Sequence, residues 1–319
     1  MCALFGFLDY GKRIPGRTLQ KIVQALANAS EVRGHHAAGI AYTFDDQLRI
    51  FKRPKPAHKL HFRIPNGTAA VMGHTRLTTQ GDQKFNQNNH PFRGYANTAF
   101  ALAHNGILYN DTVLRSKLHL PDTKIETDSY IMVQLIESQG TLSFDSLRYA
   151  VEQVKGYYSF TLLDADNHLY FVKGDSPLYL IHFPALGLYL YASTKEIMLN
   201  ALRHLPVKFP RYDVIAVNDG ELLRIAPDGK ITRDHFTVQD SYTIYNRNGF
   251  SSCLCGWNKT DYGSCSDDEY MVLVELCGYF GVAPEDIRYL RDLGYSYDEI
   301  ESLLTDPERY GVELSFAEL

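Results

Sequence analysis

The sequence predicts a mixed α+β fold in which antiparallel sheets are layered and covered by helices. Two observations carry this. Short apolar runs recur from residue 1 to about 236, and several follow one another with no helical period between them, which argues against a doubly wound parallel sheet. An apolar share of 45% in 319 residues is ample for one large domain, or a large and a small one.

The first run, Ala3 to Leu8, reads as a strand, and Gly16 to Ser30 as a helix whose Leu19, Ile22, Val23 and Leu26 share a face. Strands follow at Gly39 to Thr43, Leu48 to Lys52, Ala69 to His74 and Ala99 to His104. Helices are expected at Thr127 to Ser138, where Ile131 and Leu135 align, and at Ser143 to Val154, where Leu147 and Val151 do. Then strands resume at Tyr157 to Leu163, Leu169 to Val172, Leu178 to His182, Leu188 to Ala192, Asp213 to Val217, Glu221 to Ile225 and Ile231 to Phe236. From Asp240 to Cys265 the chain is polar and without period, so a boundary is expected near residue 238. Residues 239–319 then read as a linker and a small helical module. Its first helix would run from Asp267 to Phe280, a second from Ala283-Pro284, and a third behind a capping box at Ser296 to Glu299.

Charge narrows the function. A net charge of -5, with no long block of like charges, argues against a nucleic-acid or membrane-surface footprint. No stretch approaches the ~18 apolar residues of a membrane helix, and no basic segment leads into an apolar run at the start, so a cytoplasmic protein acting on small molecules is expected. The cysteines are Cys2, Cys253, Cys255, Cys265 and Cys277, an odd number without disulfide-scaffold spacing, which reads as reduced thiols. The last four lack paired C-x-x-C knuckles, so no zinc site is expected.

Cys2 is the residue with chemical promise. Loss of one methionine would put its thiol and a free α-amine on the same residue, and a terminal amine titrates near ~7.7–8.0, so part of it is a base at neutral pH. Taken alone, such a cysteine reads as a small apolar residue opening a strand. It is followed, however, by Arg33-Gly34-His35-His36-Ala37-Ala38-Gly39, Gly73-His74-Thr75-Arg76-Leu77-Thr78-Thr79, a block from Asn86 to Phe92, Ala103-His104-Asn105-Gly106 and Glu126-Thr127-Asp128-Ser129. Taken singly, Arg76 reads as a surface charge, Asp128 as a helix-start charge and Asn105-Gly106 as a hairpin turn.

In that order and spacing the blocks resemble the class II glutamine amidotransferase domain, the glutaminase module of glucosamine-6-phosphate synthase and amidophosphoribosyltransferase. The likeness runs from Cys2 to about Phe236. Further blocks that carry it are Gly156 to Phe160, Lys173 to Leu178, Ala192 to Glu196 and Asp219-Gly220-Glu221. The resemblance implies a four-layer αββα sandwich of the N-terminal-nucleophile hydrolase type. It also implies that Cys2 attacks the glutamine carboxamide, with the Asn105 side chain and the Gly106 N–H as oxyanion hole. Arg76 would grip the α-carboxylate and Asp128 the α-ammonium, Thr79 would add a contact to the carboxylate, and Arg33 would shape the floor near Cys2. No cofactor and no metal are implied, although His35, His36, His74, His90 and His104 lie within the blocks. Two positions depart from the family pattern: Leu77 stands where synthases usually have an aromatic involved in ammonia delivery, and Tyr130 where a glutamate is frequent. The segment after Asp240 has no phosphate-cradling loop, so the expectation is that ammonia passes to a separate acceptor enzyme. Two alternatives stay open, a stand-alone amidohydrolase acting on a γ-glutamyl amide and a catalytically silent binding protein of the same fold.

Overall fold

The computed structural model describes residues 2–205, 207–238, 273, 274, 277, 283–292 and 295–304. The chain divides into two compact units, Met1–Ser241 and Tyr242–Leu319. In the first, thirteen strands among the described residues form two antiparallel sheets. They are β1 (Ala3–Asp9), β2 (Ala37–Phe44), β3 (Gln47–Arg53), β4 (Ala70–Arg76), β5 (Phe92–Tyr95), β6 (Ala99–Leu108) and β7 (Gly156–Asp164). The series continues with β8 (Leu169–Lys173), β9 (Tyr179–Phe183), β10 (Leu188–Ala192), β11 (Asp213–Ile215), β12 (Glu221–Ile225) and β13 (Ile231–His235). One sheet has the order β11-β9-β10-β1-β4-β2-β3 and the other β13-β12-β8-β7-β6-β5.

Helices cover the outer faces: α1 (Gly16–Ser30) and α5 (Lys195–Arg203) on the first sheet, α3 (Tyr130–Ser138) and α4 (Phe144–Gln153) on the second, with α2 (Asp111–Lys117) beside α3. Strand alternation decides where each side chain goes. On β1, Phe5 and Phe7 point to the layer under α1, while Leu4 and Leu8 point between the sheets. Both faces of β1 are therefore covered, which explains why Ala3–Asp9 is buried throughout and carries no polar alternation. Met72 on β4 and Ala101 and Ala103 on β6 meet Leu4 and Leu8 in the middle layer. Four layers result, α, β, β and α, as expected.

Three elements were not anticipated: β5, α2 and α5. Two are short, and α5 follows a Thr194 cap in which the side chain accepts from the Ile197 N–H at 3.2 Å. The helix expected from Thr127 starts instead at Tyr130, because the carboxylate of Asp128 is engaged across the chain rather than in capping. Asn105-Gly106 is no turn; it sits inside β6, where Asn105 pairs with Ser159 and Gly106 with Tyr158.

In the second unit, α6 (Pro284–Asp292) and α7 (Tyr297–Leu304) bury Ile287, Leu290, Ile300 and Leu303. The capping box holds, with Ser296 N–H donating to Glu299 at 2.8 Å and Glu299 N–H to the Ser296 hydroxyl at 3.3 Å. Cys277 is buried and its thiol is pushed up to about 11, first by burial and then by Asp286 and Glu285, so it is unreactive. Cys253, Cys255, Cys265 and most of the helix expected at 267–280 lie outside the described residues.

Candidate active site

The same alternation that builds the middle layer aims four polar residues at one place. Cys2 is two residues before Leu4, Arg76 four after Met72, and Asn105 two after Ala103, so all three side chains belong to the inter-sheet side. His74, between Met72 and Arg76, belongs there as well. Pairing of Ala3 with Thr75 brings Cys2 level with Arg76 at the ends of β1 and β4.

Cys2 is 8% exposed, and its thiol points to the Leu77 carbonyl at 3.5 Å. Burial pushes the thiol up; the terminal ammonium, Arg76 and the Leu77 contact oppose this, and Asp128 adds to it. The resting sulfur is thus protonated at neutral pH and needs a base to become a nucleophile. Arg33 donates to the Cys2 carbonyl at 3.2 Å, and Gly34 lies so close to the Arg76-Leu77 backbone that a Cβ would stand 2.5 Å from the Arg76 carbonyl carbon. That contact fixes the chain beneath the thiol.

Arg76 is 2% exposed. Burial lowers its affinity for a proton while the Cys2, Asp128, Asp82 and Glu126 charges hold it, and a guanidinium stays charged in any case. It donates to the Asn89 side-chain oxygen at 2.7 Å and to the carbonyls of Gln80 at 2.6 Å and Gly81 at 2.8 Å. With five N–H donors, a guanidinium so held keeps two for a ligand. Thr79 sits half-buried in the same loop.

Asn105 is fully buried, and neither its amide nitrogen nor its amide oxygen has a partner. Such an orphan costs about 1–3 kcal/mol unless something fills the role. Gly106, next to it, has φ of 141°, and a Cβ there would lie 1.9 Å from the Tyr157 carbonyl. No other residue type fits.

Asp128 is joined to this strand directly. One carboxylate oxygen accepts from Leu108 N–H at 2.7 Å and the other from the Ser129 hydroxyl at 3.2 Å. The Ser129 hydroxyl also lies 2.8 Å from His104 Nδ1, and His104 Nε2 lies 3.4 Å from the Tyr157 carbonyl. Burial lowers the His104 affinity for a proton, against the pull of Asp128. His74 lies 2.9 Å from the His104 carbonyl, packs on His90 with 4.1 Å between centroids, and is lowered to about 3, first by burial. These histidines are neutral wall. An arginine and an aspartate therefore face one inner space, with a thiol and an orphaned amide between the sheets beside them.

Comparison with known proteins finds similar domains. Residues 74–200 match the model of a glutamine amidotransferase domain. The chain is 29% identical over 254 residues to the glutamine--fructose-6-phosphate aminotransferase [isomerizing] of Staphylococcus aureus, covering 75% of this chain and 40% of that enzyme. Against the enzyme of the same name from Staphylococcus epidermidis it is 31% identical over 191 residues, 56% of this chain and 30% of the relative. Among solved structures, glutamine phosphoribosylpyrophosphate amidotransferase from B. subtilis superposes with a TM-score of 0.57 at 23% identity, covering 75% of this chain and 50% of that one. An allosteric regulatory enzyme of purine biosynthesis gives 0.60 at 21% over the same shares. The chain is similar to class II glutamine amidotransferase domains. Its sandwich is the N-terminal-nucleophile hydrolase fold. It spans less than half the length of the curated relatives it matches.

Within the first unit, several residues around the site were not singled out from the sequence. Lys52 is the clearest. It follows Leu48 and Ile50 in strict alternation on β3, so it points into the middle layer, where it donates to the Asn89 carbonyl at 2.5 Å and stands 5.0 Å from the Phe92 ring centre. Burial, then Arg76, lowers it to about 8. Alternation would have found it. Asn88 and Asn89 lay in a block already noted, without a role. Of the two departures, Leu77 is buried and gives its carbonyl to the thiol, while Tyr130 stacks edge-on against Phe92 at 5.6 Å. Among the described residues, no helix is long and apolar enough to cross a membrane.

Proposed function

We propose that this chain performs the glutaminase half-reaction of a glutamine amidotransferase, with Cys2 as nucleophile. Removal of Met1 frees the Cys2 amine, which takes the thiol proton as sulfur attacks the glutamine side-chain carbonyl. The oxyanion is met by the Asn105 amide and the Gly106 N–H. The amine then hands its proton to the departing nitrogen, ammonia leaves, and water cleaves the γ-glutamyl thioester to glutamate. Arg76 holds the α-carboxylate through its uncommitted N–H groups, Thr79 adds to that end, Asp128 holds the α-ammonium, and Arg33 fixes the Cys2 backbone.

The observation that carries this reading is Asn105. A fully buried amide with no partner, on the same inner face as a thiol and a guanidinium, is a donor awaiting a developing negative charge. The relatives' names pair glutamine with an amino acceptor, which supports an acceptor enzyme in trans for the ammonia. Residues 1–238 are the catalytic part in this account, and 239–319 a linker and small helical module.

The test measures glutamate and ammonia from glutamine with purified protein and its Cys2→Ala variant. Slow turnover by the first and none by the second is expected; equal turnover, or none by either, would remove the proposal. Brisk turnover with no partner present would favour the stand-alone amidohydrolase over the partnered subunit.

A further inference from the structure

We propose that Asn88 is a positioning residue that sets the gap between the two charge grips, Arg76 and Asp128, and so the fit to a free α-amino acid. This rests on the zwitterion reading above. Asn88 is fully buried, and its side-chain amide is spent completely. Its nitrogen donates to the Glu126 carboxylate at 2.8 Å and to the Asp82 carbonyl at 3.1 Å, and its oxygen accepts from the Glu126 N–H at 3.0 Å.

These bonds join the two halves of the grip. On one side, the loop after β4 is bound to the Arg76 guanidinium through the carbonyls of Gln80 and Gly81, and Asp82 comes next in the chain. On the other, Glu126 is two residues from Asp128, a span of at most ~7 Å of chain. Gly81, at φ of 77°, lies flat on the joint: a Cβ there would stand 3.0 Å from the Glu126 Cβ and 3.2 Å from the Asn88 amide nitrogen. Asn89 reinforces the same loop, accepting from Arg76 at 2.7 Å and donating to the Gln83 carbonyl at 2.8 Å. Asp128 is otherwise anchored only to β6 and to Ser129 among the described contacts. Thus the buried tie nearest both grips runs through the Asn88 amide, and Gln87 adds a more exposed one by donating to the Lys124 carbonyl at 3.3 Å. The joint does not involve Cys2 or Asn105.

The polarity of the pair gives a specific experiment. Asn88→Asp keeps size and the acceptor for the Glu126 N–H, but sets carboxylate against carboxylate. Steady-state glutaminase kinetics of the full chain should show KM for glutamine rising by about 10-fold or more, with kcat within about threefold. Glu126→Gln alone, whose amide oxygen still accepts from Asn88, is the reference against which the double variant is read. The double variant Asn88→Asp with Glu126→Gln reverses donor and acceptor toward residue 126 while leaving the Asp82 carbonyl without its donor, so KM should recover in part, by about threefold or more from that of Asn88→Asp. A merely structural role predicts instead that kcat and KM suffer together and that the double variant is no better than Asn88→Asp. An unchanged KM in Asn88→Asp, or no recovery in the double variant, overturns the proposal; if Asn88→Asp fails to fold, the double variant alone decides it. A wild-type protein without glutaminase activity or glutamine binding would sink the functional reading and this inference together, whereas an active wild type with an indifferent Asn88→Asp sinks the inference alone.

Discussion

Replacing Asn105 with leucine separates stability from catalysis. The two side chains are of similar size, and the site is fully buried inside β6 beside Ala103. In the structure neither polar atom of the amide bonds to another of the described residues, and a buried polar group so placed costs about 1–3 kcal/mol. Leucine removes both groups and fills the same space with apolar atoms. A net gain of about 2 kcal/mol is expected, which in a domain of this size raises Tm by about 4–8 °C. On the proposed mechanism the same change deletes one of two oxyanion donors, which should cost about 10²- to 10³-fold in kcat, while glutamine binding, assigned there to Arg76 and Asp128, stays near its original strength. Calorimetric melting gives the first quantity and ammonia release the second. A lowered Tm would mean that the amide already had a use within the fold. A kcat within about 10-fold of wild type would mean that Asn105 does not meet the oxyanion.

Arg76→Lys should lower kcat/KM for glutamine by about 10²-fold or more, since an ammonium cannot serve Asn89, Gln80, Gly81 and a carboxylate together; steady-state kinetics checks this. Gly106→Ala should destabilise by about 3 kcal/mol or more, lowering Tm by about 6–12 °C, because its Cβ would meet the Tyr157 carbonyl at 1.9 Å; a thermal melt within a degree or two of wild type would refute that. Asp175, which accepts from the Tyr158 N–H at 2.9 Å beside Gly106's partner strand, is pushed up to about 6, chiefly by burial, against opposing hydrogen bonds and Lys173. Its folded pKa is raised, so its contribution is full below the unfolded value of about 4 and falls as pH climbs to about 6, by about 3 kcal/mol in all. Asp175→Asn keeps the acceptor and cannot ionise, so its Tm should gain on the wild type between pH 4 and 7; parallel Tm curves would contradict this.

Much of the architecture could be read from residue patterns because the burial is regular. The run Ala3–Asp9 and the helix Gly16–Ser30 show their periods plainly, and both are present. β5 was not legible for a physical reason: its four residues follow Pro91 and include Gly94, so they show no period. α2 is likewise two turns long. Asn105-Gly106 is the instructive case. The local signal for a hairpin turn is strong, yet pairing with Ser159 and Tyr158 on β7 overrides it, and the positive φ that glycine tolerates is spent within a strand. At the site, Cys2, Arg76 and Asn105 could be placed on one face by counting alternate residues. Their helpers could not, because Asn88, Asn89 and Ser129 act through hydrogen bonds to segments 13 to 38 residues away. Lys52 lies between these cases: its alternation was visible, but a buried lysine contradicts ordinary expectation.

The most direct test of Cys2 as a glutamine-reactive nucleophile is mass spectrometry of the protein after treatment with a diazo ketone shaped like glutamine. The account predicts a single adduct, on a chain that now begins at Cys2, and protection when glutamine is added in excess. An N-terminus that keeps Met1 with its cysteine unmodified, or an adduct that glutamine does not prevent, would contradict it.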